Sequence, residues 1–355
     1  MPKLILAINP GSTSTKAAIF KGSGEEVELL HAKTIRHSTD SLPDDLFKQL
    51  PIRTQLVLEF LKENNVKLED IDIFIGRGGP IIPLESGTYV VDENMVEILK
   101  TKYTAYHPSL LGGLIAKELA DKVGKMAFIA DPVSVDEMWD WARFSGLKEI
   151  ERKSLAHALN IKAVIRRFCK NKNLNYKDLK LVVAHLGGGI SVTAHVRGQM
   201  VDVNNANDEG PFSPERTGTL PVTQLVQLCY SGKYSEKEML KLITKKGGLV
   251  SYLGTNDGKL IEDEIKKGNK EWQLVYEAMC YQISKEIGAM AAAAGGVDYI
   301  IITGGLARDE FLINFIKNRC SWIAPIEVYP GEDEMLALAE AAFFASNKKS
   351  YKTLN

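Results

Sequence analysis

Between Asn9 and Lys16 the chain reads N-P-G-S-T-S-T-K, which gathers an amide, several hydroxyls and a cation around one glycine turn. Asn9, Ser12, Thr13, Ser14 and Lys16 offer side-chain and backbone donors to phosphate oxygens. They also suit water on Mg2+, a cation that keeps several waters and borrows phosphate oxygens as ligands. The segment lacks G-x-x-x-x-G-K-[ST], so a phosphate bound here is held by a hairpin and not by a helix N-terminus. Alternation along the second strand sends Ser14 and Lys16 to one face and Thr13 and Thr15 to the other. Hydroxyls in a turn can also be turn formers only. A site therefore needs a second group of residues to face this one.

The sequence supplies one. Leu4 to Phe20 recurs in register from Leu181 to Val196, with matches at Ala7/Ala184, Ser14/Ser191 and Ala17/Ala194 when Gly11 is set on Gly188. Each copy is an apolar run, a glycine turn and a second run of β-branched and small residues, the pattern of a hairpin. A second pair supports the duplication: D-I-F-I-G-R-G-G at Asp72 to Gly79 resembles D-Y-I-I-I-T-G-G at Asp298 to Gly305. Buried parallel strands read as continuous apolar runs, and ligands gather where their carboxyl ends meet loops. One such Gly-Gly only makes a tight turn. Glycine turns in two matched pairs point instead to a duplicated α/β chain whose opposed turns form a cleft for a nucleotide's phosphates.

At 355 residues, the chain exceeds the size at which one core stops growing, which favours two domains. The net charge of -1 provides no global field for nucleic acid or an anionic membrane. Cys169, Cys229, Cys280 and Cys320 lie far apart without metal-ligand spacing, and they read as reduced core residues of a cytoplasmic protein. No basic, cleavable leader and no apolar run of membrane length is visible.

The pattern predicts a third strand ending near Ile35, a helix over Pro51 to Asn64, a strand over Asp72 to Gly76, helices over Asp92 to Lys102 and Pro108 to Lys122, and a short strand over Met126 to Ala130 that delivers Asp131 at its end. A helical segment from Lys153 to Cys169 precedes the second hairpin. A long polar loop follows from Asn204 to Gly218. The longest helix runs over Glu271 to Ala294, its alanine-rich end a packing surface, since alanine favours helix. A last helix over Asp333 to Ser346 is long enough to return to the first half.

Taken in order, N-P-G-S-T-S-T-K, I-G-R-G-G-P at Ile75 to Pro80, A-Y-H-P at Ala105 to Pro108, A-D-P at Ala130 to Pro132, A-H-L-G-G-G-I-S at Ala184 to Ser191, P-E-R-T-G-T-L-P at Pro214 to Pro221 and T-G-G-L-A-R at Thr303 to Arg308 run along nearly the whole chain. In this the sequence resembles the acetate and butyrate kinase family, within the larger group of sugar kinases, actin and heat-shock ATPases. The resemblance implies duplicated ribonuclease H-like domains around an interdomain cleft. Residues 1–152 with 334–355 would form the acyl and phosphate side, and residues 153–333 the nucleotide side. It further implies reversible phosphorylation of a short-chain carboxylate, butanoate plus ATP giving butanoyl phosphate plus ADP, with Mg2+ and a homo-oligomeric assembly. A branched-chain acid kinase, a polyol kinase using Asp131 as base, and an actin-like ATP-binding protein remain alternatives.

Such a transfer spreads negative charge over the phosphoryl oxygens while an anionic carboxylate attacks in line, so catalysis is positioning and charge neutralisation. Arginine suits both anions through its planar fork. The resemblance puts Arg77 and Arg216 on the acyl group and the transferring phosphate, although either arginine could instead form a surface ion pair. It puts His107 at the substrate, and His157 and His185 at the phosphoryl oxygens, where an imidazole donates without being a nucleophile. Gly187, Gly188 and Gly189 fall at the phosphates, and Gly304, Gly305 and Arg308 near the adenosine. Asn9, Asp131 and Glu334 become candidates for the metal, with a charge at a helix start as the other reading of Glu334. Acetate kinases carry a further histidine where this chain has Lys153, so Lys153 or His185 supplies that positive charge. They also carry an apolar β-branched residue at the position of Gly79. Glycine there should enlarge the acyl pocket, at about 0.8 kcal/mol for each added methylene buried, and favour four- or five-carbon acids over acetate.

Overall fold

The structure is a computed structural model describing residues 2–37 and 42–354. Two compact units divide the chain: Met1–Val135 with Ala158–Ala163 and Asp333–Asn355, and Asp136–His157 with Val164–Glu332.

In the first unit, strands β1 (Lys3–Pro10), β2 (Ser14–Ser23), β3 (Glu26–Arg36), β4 (Ile73–Gly76), β5 (Thr88–Val90) and β6 (Ala127–Ala130) form a sheet in the order β3-β2-β1-β4-β6-β5. The first three strands are an antiparallel meander; β4 then joins β1 in parallel, with Ile5 opposite Ile73, and β6 joins β4 in parallel. Helices α1 (Leu50–Glu63), α2 (Glu93–Thr101) and α3 (Leu110–Asp121) bury Val57, Phe60, Met95, Ile98, Leu111 and Ile115 in one core cluster with Leu6, Ile8 and Phe74 of the sheet. A second cluster joins Ile5, Ala7, Phe20, Ile75 and Phe128 to Leu159 and Ala163, at the start of α4 (Ala158–Lys172), and to Leu338, Ala342 and Phe343 of the chain's last helix. Successive side chains on a strand point to opposite faces, so Ile5 and Ala7 enter one cluster while Leu6 and Ile8 enter the other.

The second unit contains a small hairpin, β7 (Phe144–Leu147) with β8 (Ile150–Glu151), and a sheet ordered β11-β10-β9-β12-β13. Its members are β9 (Lys180–Leu186), β10 (Ile190–Val196), β11 (Gln199–Val203), β12 (Tyr299–Gly304) and β13 (Ile326–Pro330). Again a meander of three antiparallel strands is extended from its first strand by two parallel ones. The correspondence reaches single atoms. Asp72 accepts a hydrogen bond from Leu4 N at 3.0 Å just before β4, and Asp298 accepts one from Lys180 N at 2.7 Å just before β12. The chain is a duplicated α/β fold. Helices α5 (Val222–Cys229), α6 (Glu236–Lys245), α7 (Gly248–Leu253), α8 (Gly258–Lys266), α9 (Lys270–Ala293) and α10 (Glu310–Cys320) follow the meander, with β12 between the last two. Met279, Ile283, Ile287 and Met290 of α9 and Leu312 and Ile316 of α10 pack on Val182, Ala184 and Ile300. The final helix, α11 (Glu334–Lys348), belongs to the first unit.

Two sequence expectations are corrected here. Helix α4 begins at Ala158 and not at Lys153, because Ser154 and Ala156 are buried in an extended approach and His157 N donates to Ser191 Oγ at 3.4 Å. Cys169, Cys280 and Cys320 are buried free thiols, but Cys229 is exposed, on a helix with no buried residue. Among the described residues no helix is long and apolar enough to cross a membrane.

Candidate active site

The first unit brings Asn9, Arg77 and Glu334 together. Asn9 lies near the carboxyl end of β1, and Arg77 directly follows β4, whose parallel register sets Gly76 beside Ile8. Arg77 N donates to Ile8 O at 3.1 Å, which continues the ladder, and Gly113 N on α3 donates to Arg77 O at 3.1 Å. This close approach requires glycine on both sides, since a Cβ on Gly76 would lie 2.0 Å from the Gly112 carbonyl. Glu334 opens α11, whose N-cap Asp333 accepts from Leu336 N. The Glu334 carboxylate takes Asn9 Nδ2 on one oxygen at 2.7 Å and Arg77 on the other at 3.0 Å. Both side chains of the ion pair are partly shielded, with 12% exposure for Arg77 and 26% for Glu334.

Across the first hairpin Asn9 pairs with Lys16. Lys16 is exposed, Ser12 and Thr13 at the turn are exposed, and Ser14 is half-buried. Asp131 directly follows β6 in the left-handed region (φ 38°), where one carboxylate oxygen accepts from Ser86 Oγ at 2.7 Å and Gly87 N at 2.8 Å. It is thereby engaged in joining the ends of β5 and β6. Among the described residues no three histidine, cysteine or acidic side chains are grouped so that they alone could hold a metal ion. His107 is exposed before α3, with Nδ1 3.2 Å from Ser109 N and 2.7 Å from Ser109 Oγ.

Gly79 gives a different account of itself from the one expected. Its φ is +67°, and an added Cβ would meet Leu110 N and Cδ2 at 2.8 Å. The backbone and the packing of α3 demand glycine there, so its presence carries no inference about acyl-pocket volume.

In the second unit the turn Gly187–Gly189 closes β9 and β10, with Gly187 N on Gly189 O at 3.1 Å and Ser213 Oγ donating to Gly188 O at 2.6 Å. The loop after β11 folds Arg216 over this turn. A Cβ on Gly189 would stand 2.5 Å from an Arg216 terminal nitrogen, and that nitrogen donates to Ala206 O at 2.9 Å. Burial lowers the Arg216 pKa from the usual arginine range, against the opposing pull of Glu215 and Asp208. His157 and His185 stack with ring centroids 4.0 Å apart and 8° between planes. His157 Nδ1 lies 2.9 Å from Ser191 Oγ, and His185, with 1% of its side chain exposed, places Nε2 3.8 Å from Glu332 Oε1. Lys153 is exposed.

Gly304 (φ +96°) ends β12 against the hairpin, where a Cβ would lie 2.3 Å from Leu186 O. Gly331 lies across from Gly304, linked by bonds in both directions, and a Cβ on Gly331 would stand 2.9 Å from Arg308. Glu332 lies within contact range of the Cβ positions of both Gly187 and Gly305. Sequence reasoning missed Glu332 and Ser213. The only signal for Glu332 was the first acid of G-E-D-E. Ser213 had none beyond its place in a polar loop.

A family model described as the Acetokinase family matches residues 147–318. Butyrate kinase 2 of Clostridium acetobutylicum is 50% identical over 340 residues, covering 95% of this chain and 94% of its own. A probable butyrate kinase 2 of Caldanaerobacter subterraneus subsp. tengcongensis is 50% identical over 341 residues, covering 95% of each. Among solved structures, an acetate kinase of Porphyromonas gingivalis shares the fold at a TM-score of 0.76 and 20% identity, covering 96% of this chain and 99% of its own.

Proposed function

The chain belongs to the acetokinase family, and on that premise we propose that its two groups of residues serve one reaction, the ATP-dependent phosphorylation of butanoate. The observation that carries the choice of acid is the 50% identity to butyrate kinase 2 over 95% of the chain. Two arginines near glycine turns, Arg77 in one unit and Arg216 in the other, support a carboxylate acceptor. A carboxylate is already ionised and needs no general base, whereas a sugar hydroxyl does. Asp131, the one candidate for such a base, already has a carboxylate oxygen committed to Ser86 and Gly87.

In this reading Arg77, anchored at one nitrogen by Glu334, presents its planar fork to the substrate carboxylate and so lowers the repulsion between two anions. His107 lines the same side. Arg216, little solvated and held over the glycine turn, stabilises charge on the phosphoryl oxygens, where a preorganised donor is strongest. His157 and His185 donate beside it without forming a covalent intermediate. The amides of Gly187 to Gly189 and the donors of Asn9, Ser12, Thr13, Ser14 and Lys16 receive the nucleotide phosphates. Gly304, Gly305 and Arg308 adjoin the adenosine.

The donor set suits Mg2+. A hard cation that retains its waters asks for one or two protein oxygens, and Asn9 with Glu334 would hold it. When bound, the ion neutralises phosphate charge. Asp131, with Oδ1 engaged by Ser86 and Gly87, is a further candidate, since both Glu334 oxygens are themselves engaged by Asn9 and Arg77. A homo-oligomer is part of the same proposal.

Trapping acyl phosphate with hydroxylamine across straight and branched two- to five-carbon acids tests the reading. Butanoate should give the highest kcat/KM. Absence of hydroxamate with every acid would overturn the assignment as an acid kinase, and a preference for acetate would overturn the choice of acid.

A further inference from the structure

Arg53, on α1, is fully buried beneath the first hairpin. A buried guanidinium ordinarily has a carboxylate partner. Among the described residues Arg53 forms no ion pair, and its acceptors are all neutral. Nε and one terminal nitrogen donate to Gln49 Oε1 at 3.1 and 3.0 Å; the same terminal nitrogen donates to Gly11 O at 3.1 Å. The other donates to Ser14 O at 3.2 Å and Thr15 Oγ1 at 2.8 Å, and lies 3.3 Å from His37 Nε2. Thr15 Oγ1 is in turn 2.9 Å from that imidazole nitrogen.

Two of these acceptors, Gly11 O and Ser14 O, flank the turn. Gly11 N also donates to Ser14 O at 2.7 Å, and His37 N donates to Thr13 O at 2.9 Å. The carbonyls of Gly11, Thr13 and Ser14 are therefore held by donors of the protein itself. By contrast, the N–H groups of exposed Ser12 and Thr13 donate to no acceptor among the described residues. A turn whose carbonyls are pinned from within and whose amides remain for another molecule is prepared for an anion. Neutral donors could pin the same carbonyls without burying a charge, and an unpaired buried charge is costly. The charge itself therefore has a use.

We infer that Arg53 is the positioning residue of the phosphate hairpin: its guanidinium fixes the turn with the amides outward, and its charge, without an ion-pair partner among the described residues, draws a polyphosphate onto them. The inference rests on the reading that this hairpin receives the ATP phosphates. Burial pulls the guanidinium down to about 10, so Arg53 stays charged at neutral pH.

The test uses the full-length enzyme and three variants, Arg53→Met, Arg53→Lys and Lys16→Met, with kcat and both KM values measured and folding followed by circular dichroism. Arg53→Met should raise the KM for ATP about tenfold or more while the KM for butanoate moves by less than about twofold, since only the nucleotide side loses its donors. Arg53→Lys keeps the charge without the fork and should recover part of that loss. If Arg53→Met does not fold, Arg53→Lys carries the test. A selective rise in its KM for ATP supports the inference, and an unchanged KM for ATP or an equal rise for both substrates overturns it. Lys16→Met separates the two layers. If it weakens ATP while the Arg53 variants do not, the hairpin reading stands and the role of Arg53 is refuted. If neither position affects ATP, the hairpin reading fails and the inference falls with it.

Discussion

Replacing Gly189 by alanine tests the site through a single added carbon. The new Cβ would lie 2.5 Å from an Arg216 terminal nitrogen and 2.6 Å from its central guanidinium carbon, well inside contact distance. Gly189 has no positive φ, so the backbone accepts alanine. The clashing atoms are the far end of a flexible side chain, which can swing aside. The fold therefore loses little more than the hydrogen bond from Arg216 to Ala206 O, about 1 kcal/mol. Activity should suffer far more. Removing one preorganised donor from a developing oxyanion costs roughly 2.7–4 kcal/mol, or about 10²–10³ in kcat. Hydroxamate trapping gives kcat and thermal unfolding gives stability. Gly258→Ala, at a glycine with open space around it, provides the control. If the alanine acts through Arg216, Gly189→Ala combined with Arg216→Ala should be no worse than Arg216→Ala alone. Near-normal turnover by the Gly189 variant in a folded protein would refute the placement of Arg216 in the chemistry.

Gly79→Ala should unfold at lower temperature, by about 2–4 kcal/mol from its left-handed backbone and its contact with Leu110, with the ranking of acids unchanged. A variant of normal stability with a shifted acid preference would restore the pocket argument. Glu334→Gln leaves Asn9 and Arg77 without their shared anion and should raise the Mg2+ concentration for half-maximal rate about 10–100-fold; an unchanged Mg2+ titration would exclude Glu334 from the metal. Burial, then the charge of Arg53, holds His37 below its ordinary pKa, so the folded state resists protonation there. Its contribution to stability is present above about pH 6.5 and is lost as pH falls through the depressed value. Denaturant titrations at pH 7.5 and pH 5.5 should show a smaller loss on acidification for His37→Gln than for the parent, and equal losses would disprove the coupling.

What the sequence made legible followed from short-range pattern. The two hairpins, the strands opened by Asp72 and Asp298, and α1, α2, α3, α9 and α11 all carry clear periodicity or a cap within a few residues. Strand β5 spans only Thr88–Val90, and β13 is half-buried throughout, with one exposed end. Neither length nor alternation marks them, because tertiary pairing rather than propensity makes them strands. Cys229 was misplaced for a related reason. Helix α5 is apolar in composition yet leaves Val222 71% exposed, and composition cannot tell a covered helix from an uncovered one. Within the site, Asn9, Arg77 and Glu334 could each be named from a motif. Their mutual contact could not, since Glu334 lies far from both in sequence. Arg53 escaped notice altogether. A lone arginine on an amphipathic helix looks like a solvated residue until the hairpin above it is in place.

The duplication separates what the backbone dictates from what side chains add. Both units turn from the first to the second strand of the same meander, and both support the first strand with a parallel neighbour fixed by an aspartate on the backbone. Yet one turn is dressed with hydroxyls and Lys16, above the buried cation Arg53, while the other is three bare glycines beneath Arg216. Glycine lets a side chain from elsewhere lie directly on the backbone, so the second turn borrows its cation from a distant loop. The first keeps a buried cation behind the turn and leaves the amides of Ser12 and Thr13 on its outer side. If both turns handle phosphate, they do so by opposite arrangements of the same charge, one beneath the amides and one above them. Exchanging the arrangement, with a bulky residue at Gly189 or a neutral one at Arg53, should therefore damage different steps: turnover in the first case and nucleotide affinity in the second.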